Sequence, residues 1–139
     1  YMAALGRLDS IVFTAGVGER ATNIREMILK GLENFGIILD EERNNAADTN
    51  KAECRISADN SPVKIFVIPT DEEIVGVQDI VALLAGTYDV YTKFRYIFQE
   101  KDYRNKLRDA AFIEEVKKRP FLLKAAVNLP EQLKQELNK

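Results

Sequence analysis

The sequence predicts an α/β fold followed by a helical tail. Three short runs, at 9–15, 52–57 and 63–68, have the length and apolar content of strands. Segments with apolar residues at helical spacing follow the first and third of these runs. From Thr87 onward there is no glycine, and charged residues recur in a helical pattern. We therefore divide the chain into an α/β part, 1–86, and a helical, basic extension, 87–139.

Charge is distributed unevenly between these two parts. The 139-residue chain has a net charge of −2, but residues 1–86 carry 8 Lys and Arg against 14 Asp and Glu, whereas residues 87–139 carry 12 against 8. The asymmetry favours a basic tail that lies on the acidic body or on an acidic partner. No dense basic run is present, so the pattern does not favour nucleic acid as a partner.

Composition excludes several kinds of site. Cys54 is the only cysteine and histidine is absent, which excludes an intrachain disulfide, a Cys/His zinc site and a histidine-based catalytic triad. Cys54 alternates with charged neighbours in a strand-like run, which predicts a small core residue instead of a reactive thiol. No apolar run is long enough to cross a membrane, so we expect no membrane segment and a cytoplasmic protein.

The segment 11–20 carries the candidate chemistry. An apolar strand is followed by Gly16 and Gly18, which tolerate positive φ and let a ligand approach the main chain. A helix over 22–35 is predicted to follow, so that unpaired N–H groups face the turn and favour a phosphate. Gly36 is predicted to end this helix. The predicted apolar face comprises Ile24, Met27, Ile28, Gly31, Leu32 and Phe35.

Two other interpretations fit the same glycines. The spacing Gly16-x-Gly18-x-x-Ala21 satisfies a loose dinucleotide-binding fingerprint, with Asp40 placed where a ribose-binding acid can lie. A glycine turn that simply joins a strand to a helix also satisfies it. The pattern alone does not separate these alternatives.

The middle of the chain predicts a second corner of the same kind. A short turn or helix at 40–45 and an exposed loop at 46–51 precede two adjacent strands, which are joined by the turn-rich segment 58–62. Thr70 and Glu73 then have the spacing of a capping box. The predicted helix has an apolar face of Ile74, Val77, Ile80, Val81 and Leu84. Both strand-to-helix corners are expected at one edge of a sheet, where α/β folds bind ligands.

The tail is predicted to be helical. Helices are expected over 87–100, 102–118 and 122–137, the last interrupted at Pro130. An aromatic stripe begins the tail, and its spacing favours packing over base stacking. Its members are Tyr88, Tyr91, Phe94, Tyr96 and Phe98.

Three ordered motifs within residues 1–85 resemble the acetate kinase (acetokinase) family. They are Phe13-Thr14-Ala15-Gly16-Val17-Gly18-Glu19 with its flanks in 8–33, Phe35-Gly36-Ile37 continuing to Asn44, and Ile68-Pro69-Thr70-Asp71-Glu72-Glu73. The resemblance implies part of an RNase-H-like (actin-like ATPase) domain, as in sugar kinases, Hsp70 and actin. The tail has no counterpart in this resemblance.

The resemblance also implies an activity and its residues. Family members transfer the γ-phosphoryl group of ATP to acetate with Mg²⁺. The residues that match the ATP-contacting segment are Gly16, Val17, Gly18, Glu19 and Arg20, and Glu72 matches the magnesium-binding carboxylate. The catalytic residues and the main acetate-binding residues of the family match nothing here. We therefore expect a C-terminal fragment that binds ATP or ADP, has no turnover alone and forms a homodimer.

Departures from the family and alternatives to it remain. The family usually has Asn or His at the position of Arg20 and Ser at that of Ala21, so Arg20 either meets a phosphate or faces solvent. For Glu72, a favourable interaction with the helix dipole is the alternative to metal binding. Butyrate or propionate kinase is the nearest alternative function. A Rossmann NAD-binding module and a non-catalytic interaction domain are alternatives from other classes.

Overall fold

A computed structural model of the chain describes residues 1–89 and 95–137. Its helices and strands in chain order are α1 (Met2–Leu5), β1 (Ser10–Phe13), α2 (Ala15–Arg20), α3 (Thr22–Leu29), α4 (Glu41–Ala46), β2 (Glu53–Arg55), β3 (Lys64–Val67), α5 (Glu72–Leu84), α6 (Lys106–Lys118), β4 (Ala126–Val127) and α7 (Glu131–Leu137). The 3₁₀ turns are Glu33–Phe35, Ile97–Gln99 and Pro120–Lys124. The mixed α/β class predicted from the sequence is confirmed.

The chain divides into two compact units. One comprises Tyr1–Pro69 with Leu107–Lys139, and the other comprises Thr70–Lys106. The boundary predicted at residue 86 concerns the extent of a family domain, and it stays a prediction.

A four-stranded sheet in the order β1-β3-β2-β4 organises the first unit. β1 is parallel to β3, with Phe13 opposite Val67, whereas β2 is antiparallel to both β3 and β4. The predicted pairing of the runs 52–57 and 63–68 is therefore confirmed. β1 was predicted to be buried on both faces, and this is wrong, because Val12 is 48% exposed at the edge strand.

The main core lies against one face of this sheet. It is built from apolar side chains of the strands and of the segments that cross them, namely Leu29, Ile37, Ala46, Cys54, Ile56, Val63, Ile65, Val67 and Ala125. The loop 46–51 was predicted to be exposed, but Ala46 and Thr49 in it are buried. The packing of this loop against the core outweighs its polar composition.

The predicted helix over 22–35 is wrong in its continuity and in its face. The chain forms α2, α3 and a 3₁₀ turn instead, and Gly31 (φ 83°) stands between the last two. Met27 is 70% exposed, while α3 buries Arg25 and Leu29. Gly36 does act as the predicted left-handed cap (φ 77°), but it ends the 3₁₀ turn Glu33–Phe35.

The unit Thr70–Lys106 contains α5 and part of the aromatic stripe. The predicted capping box is wrong by one residue, because Asp71 is the N-cap and its carboxylate accepts from Ile74 N–H at 3.0 Å. The predicted apolar face of α5 is mostly exposed in this chain, whereas Ala82 is buried. Tyr96 stacks on Phe98 with ring centroids 5.1 Å apart, and its hydroxyl donates to Asp79.

The predicted helix over 87–100 is wrong where it can be compared, since the described part contains only the 3₁₀ turn Ile97–Gln99. Tyr91 and Phe94 of the aromatic stripe lie outside the described residues. Among the described residues, no helix has the length and apolar character needed to cross a lipid bilayer.

The tail from Leu107 onward packs on the acidic body. Ala52 contributes to a second core with tail residues, namely Phe112, Val116, Leu122 and Leu133. Ion pairs join Arg108 to Glu53 at 3.1 Å and Lys124 to Glu42 at 2.5 Å. Intrachain docking, one of the two options that the charge asymmetry favoured, is therefore what these residues do. β4, which the sequence did not predict, adds a strand to β2.

Cys54 is 2% exposed, and burial raises its pKa from 9.0 to about 11. The core role predicted for it is confirmed. Below pH 9 the thiol is protonated in both folded and unfolded chains. Between pH 9 and 11 only the unfolded chain loses the proton, so the free energy of unfolding should fall by about 3 kcal/mol across this window. Urea unfolding of the wild type and Cys54→Ala at several pH values measures this, because the variant should lack that part of the decline. Parallel declines in the two proteins would contradict it.

Candidate nucleotide-binding site

The candidate site begins where β1 ends. Thr14 is extended, and α2 starts at the next residue, so the segment Gly16–Arg20 forms this short helix. The carboxyl ends of β1 and β3 are adjacent, since Ile68 N–H donates to the Phe13 carbonyl at 3.0 Å. The expectation that both strands end at one edge is confirmed. The structure therefore brings the Gly16–Arg20 segment to the edge where α/β folds bind ligands.

The two glycines differ from expectation in their conformation. Positive φ falls on Ala15 (59°), and neither Gly16 nor Gly18 adopts it. A Cβ at Gly18 would lie 3.4 Å from the Phe13 carbonyl carbon, so Gly18 packs closely against the end of β1. A Cβ at Gly16 would meet no atom within 4 Å, so this part of the main chain is open. Gly16 offers backbone access and Gly18 allows close packing.

The remaining residues of the segment are mostly at the surface. Val17 is 65% exposed. Arg20, also exposed, forms no ion pair with another described residue. Its side chain therefore faces solvent in this chain, which leaves its cationic group accessible to an anionic ligand.

Arg25 lies beneath the segment and is completely buried. Its Nη1 donates to the Gly18 and Glu19 carbonyls at 3.0 and 2.9 Å, and its Nε donates to Asn44 Oδ1 at 2.8 Å. Nη2 donates to Asn44 O and Thr22 Oγ1 at 3.1 and 3.3 Å. Burial lowers the pKa of the Arg25 guanidinium, but an arginine stays cationic at neutral pH.

Glu72, the predicted magnesium ligand, is the first residue of α5 and belongs to the unit Thr70–Lys106. Glu72 and Glu73 are both exposed, while Asp71 uses its carboxylate as the cap. The residues that the structure describes contain no group of three acidic, cysteine or histidine side chains able to hold a metal ion. A single carboxylate is nevertheless a donor that fits Mg²⁺, which commonly takes one or two carboxylates together with phosphate oxygens.

Comparison with known proteins now identifies the family. The model of the acetokinase family matches residues 1–78, more than half of the chain and including every candidate site residue. The chain belongs to the acetokinase family. An acetate kinase of Treponema pallidum is 51% identical over 123 residues, covering 88% of this chain and 28% of the relative. An acetate kinase of Geobacter metallireducens is 56% identical over 103 residues, covering 74% of this chain and 24% of the relative.

A solved relative supports the fold. The crystal structure of acetate kinase from Entamoeba histolytica matches with a TM-score of 0.50 at 32% identity, covering 55% of this chain and 20% of that one. The acetokinase chain studied here therefore carries part of the actin-like ATPase fold that the resemblance implied. It spans about a quarter of the length of the curated relatives it matches.

Sequence reasoning assigned no role to Arg25 or Asn44. Both stand inside the motifs that carry the family resemblance, yet an arginine at one helical turn from Leu29 is indistinguishable from a solvated residue by pattern alone. A hint was available, because Arg25 falls between the apolar residues of a face that the structure leaves exposed.

Proposed function

We propose that this chain is the ATP- and magnesium-binding part of an acetate kinase, which transfers the γ-phosphoryl group of ATP to acetate and gives acetyl phosphate and ADP. The observation that carries the proposal is the family match over residues 1–78, which includes the open main chain at Gly16. The curated relatives named acetate kinase support acetate as the acceptor.

In this proposal the residues of α2 hold the nucleotide. Gly16, Val17, Gly18, Glu19 and Arg20 contact ATP, the small residues by admitting it close to the main chain and Arg20 by meeting a phosphate. Glu72 holds Mg²⁺, which when bound neutralises charge on the phosphate oxygens. No residue of this chain is assigned to acetate activation.

The activity of the whole enzyme requires more than this chain. Phosphoryl transfer depends on positioning of both substrates and on positive groups around the transferred phosphoryl. Since the chain spans about a quarter of its relatives, we propose that it has no turnover alone, that acetate binds mainly outside it and that the complete enzyme is a homodimer. The single buried thiol is consistent with a cytoplasmic enzyme.

Two alternatives are less well supported. A dinucleotide-binding module needs a further parallel strand–helix–strand unit, but in the described sheet β2 is antiparallel to both of its neighbours. An interaction domain built on the tail would need its apolar face, yet Phe112 and Leu122 are buried against the body.

The test is calorimetric titration of the 139-residue chain with Mg-ATP and separately with NAD. We expect Mg-ATP to bind and NAD not to bind, with no acetate-dependent ADP formation by this chain alone. A graft that replaces the matching segment of the Treponema pallidum acetate kinase with this chain should consume ATP when acetate is added. NAD binding without ATP binding would overturn the proposal, and so would binding of neither nucleotide.

Gly16→Ala separates nucleotide access from stability. A methyl group there meets no protein atom, and alanine is the better helix former, so the free energy of unfolding should rise by about 0.5–1 kcal/mol. The methyl group would obstruct a phosphate, so Mg-ATP affinity should fall about tenfold. Gly76→Ala is the matched control, because Gly76 lies in α5 and is also open. Equal affinities in the two variants would contradict a nucleotide at Gly16.

A further inference from the structure

Arg25 is a buried cation whose hydrogen-bond acceptors include no carboxylate. Its five N–H groups are all used, and every acceptor is a carbonyl or a hydroxyl oxygen. No ion pair joins Arg25 to a carboxylate in the described part of the chain. Burying a charge is unfavourable unless hydrogen bonds compensate for it. An apolar side chain would fill the same space without that penalty, so packing alone does not account for this residue.

The two acceptors of Nη1 show what the guanidinium accomplishes. α2 ends at Arg20, so the carbonyls of Gly18 and Glu19 belong to its last turn and lack partners within the helix. Arg25 donates to both of them from below. The bonds therefore fix the orientation of the peptide groups that link the residues of the candidate nucleotide segment.

Asn44 fixes the arginine in turn. It is 2% exposed, accepts from Arg25 through both its side-chain oxygen and its main-chain carbonyl, and donates from Nδ2 to the Thr22 carbonyl at 3.1 Å. A planar fork held at both ends has one orientation, which a lysine ammonium on a flexible stem cannot reproduce.

We propose that Arg25, held by Asn44, is a positioning residue that fixes the backbone of Gly16–Arg20 in the conformation that accepts the phosphates of a nucleotide. The inference rests on the proposed nucleotide site and adds its supporting pair. Arg25 does not touch the ligand. Its effect reaches the nucleotide through the Gly18 and Glu19 peptide groups.

The test compares Arg25→Lys with two controls in the 139-residue chain. Arg43→Lys changes the arginine of the adjacent α4, which bonds Asp59 and the Ser57 carbonyl at the surface. Ile65→Val weakens the same core without touching the network. Mg-ATP affinity is measured by calorimetry, amide hydrogen exchange over residues 15–20 by mass spectrometry, and folding by thermal melting, with affinities taken where all variants are folded.

Arg25→Lys should weaken Mg-ATP binding by about tenfold or more and speed exchange at residues 18–20, because the bonds lost are charge-assisted. Both controls should stay within about twofold in affinity. Asn44→Ala, which leaves the Nη1 bonds intact, should cause a smaller loss. It decides the question if Arg25→Lys does not fold.

Two failures are distinguishable. If the unaltered chain does not bind Mg-ATP, the proposed function is overturned, and unchanged exchange in Arg25→Lys would then overturn the positioning role as well. If the unaltered chain binds but Arg25→Lys or Asn44→Ala binds equally well, the positioning role alone is overturned. A loss of affinity in Ile65→Val equal to that in Arg25→Lys would also overturn it, because the effect would then follow stability.

Discussion

Glu72→Gln, introduced into the graft described above, is expected to lower acetate-dependent turnover about 100-fold and to raise the magnesium concentration that the enzyme requires. The substitution keeps the size of the side chain and an acceptor oxygen but removes the charge that a magnesium ligand supplies. Folding should change by less than about 1 kcal/mol, because the charge at the start of α5 contributes only through the helix dipole. A magnesium titration of activity beside a thermal melt measures both effects.

Glu73→Gln is the matched control for this substitution. It lies one residue further along α5, is equally exposed and does not cap the helix, since Asp71 has that role. Normal magnesium response in Glu72→Gln together with its loss in Glu73→Gln would place the ligand one residue away. Normal response in both variants would exclude a metal role for this helix start.

Phe112→Ala is expected to reduce the free energy of unfolding of the 139-residue chain by about 3–5 kcal/mol. Phe112 is 1% exposed and lies at the centre of the second core, between the tail and Ala52. Removing the ring leaves a cavity that neighbouring elements can only partly fill. Urea unfolding followed by circular dichroism measures the change.

Phe121→Ala serves as the comparison for Phe112→Ala. Phe121 is also in the tail but is 46% exposed, with its ring 5.9 Å from the Arg119 guanidinium. Its removal should cost about 1 kcal/mol or less. Equal costs for the two phenylalanines would mean that the tail does not share a core with the sheet.

The local parts of the fold were predictable because their signals are local. Alternating or continuous apolar runs gave the positions of β1, β2 and β3, and acidic residues marked the start of α5 to within one residue. The family motifs located the candidate segment Gly16–Arg20. Magnesium binding by Glu72 and nucleotide binding by that segment stay predictions.

The other features depend on partners distant in sequence. α3 buries Arg25 because carbonyls at 18 and 19 and the side chain of Asn44 accept its hydrogen bonds, which no hydrophobic periodicity reveals. β4 is two residues long and exists only because β2 lies beside it. The exposed face of α5 has the pattern of a buried helix, since periodicity reports which side is apolar and not what covers it.

The pairing of β4 with β2 has a consequence for biosynthesis. More than seventy residues separate Cys54 from Ala126, which pair across the sheet, and the ribosome releases them in that order. Until residues 126–127 emerge, one edge of β2 has free main-chain groups that another chain can capture. Long-range pairing of this kind also slows folding. The last quarter of the chain therefore protects the nascent sheet against aggregation, and nonsense mutations upstream of Ala126 should yield insoluble products even though they spare the candidate nucleotide segment.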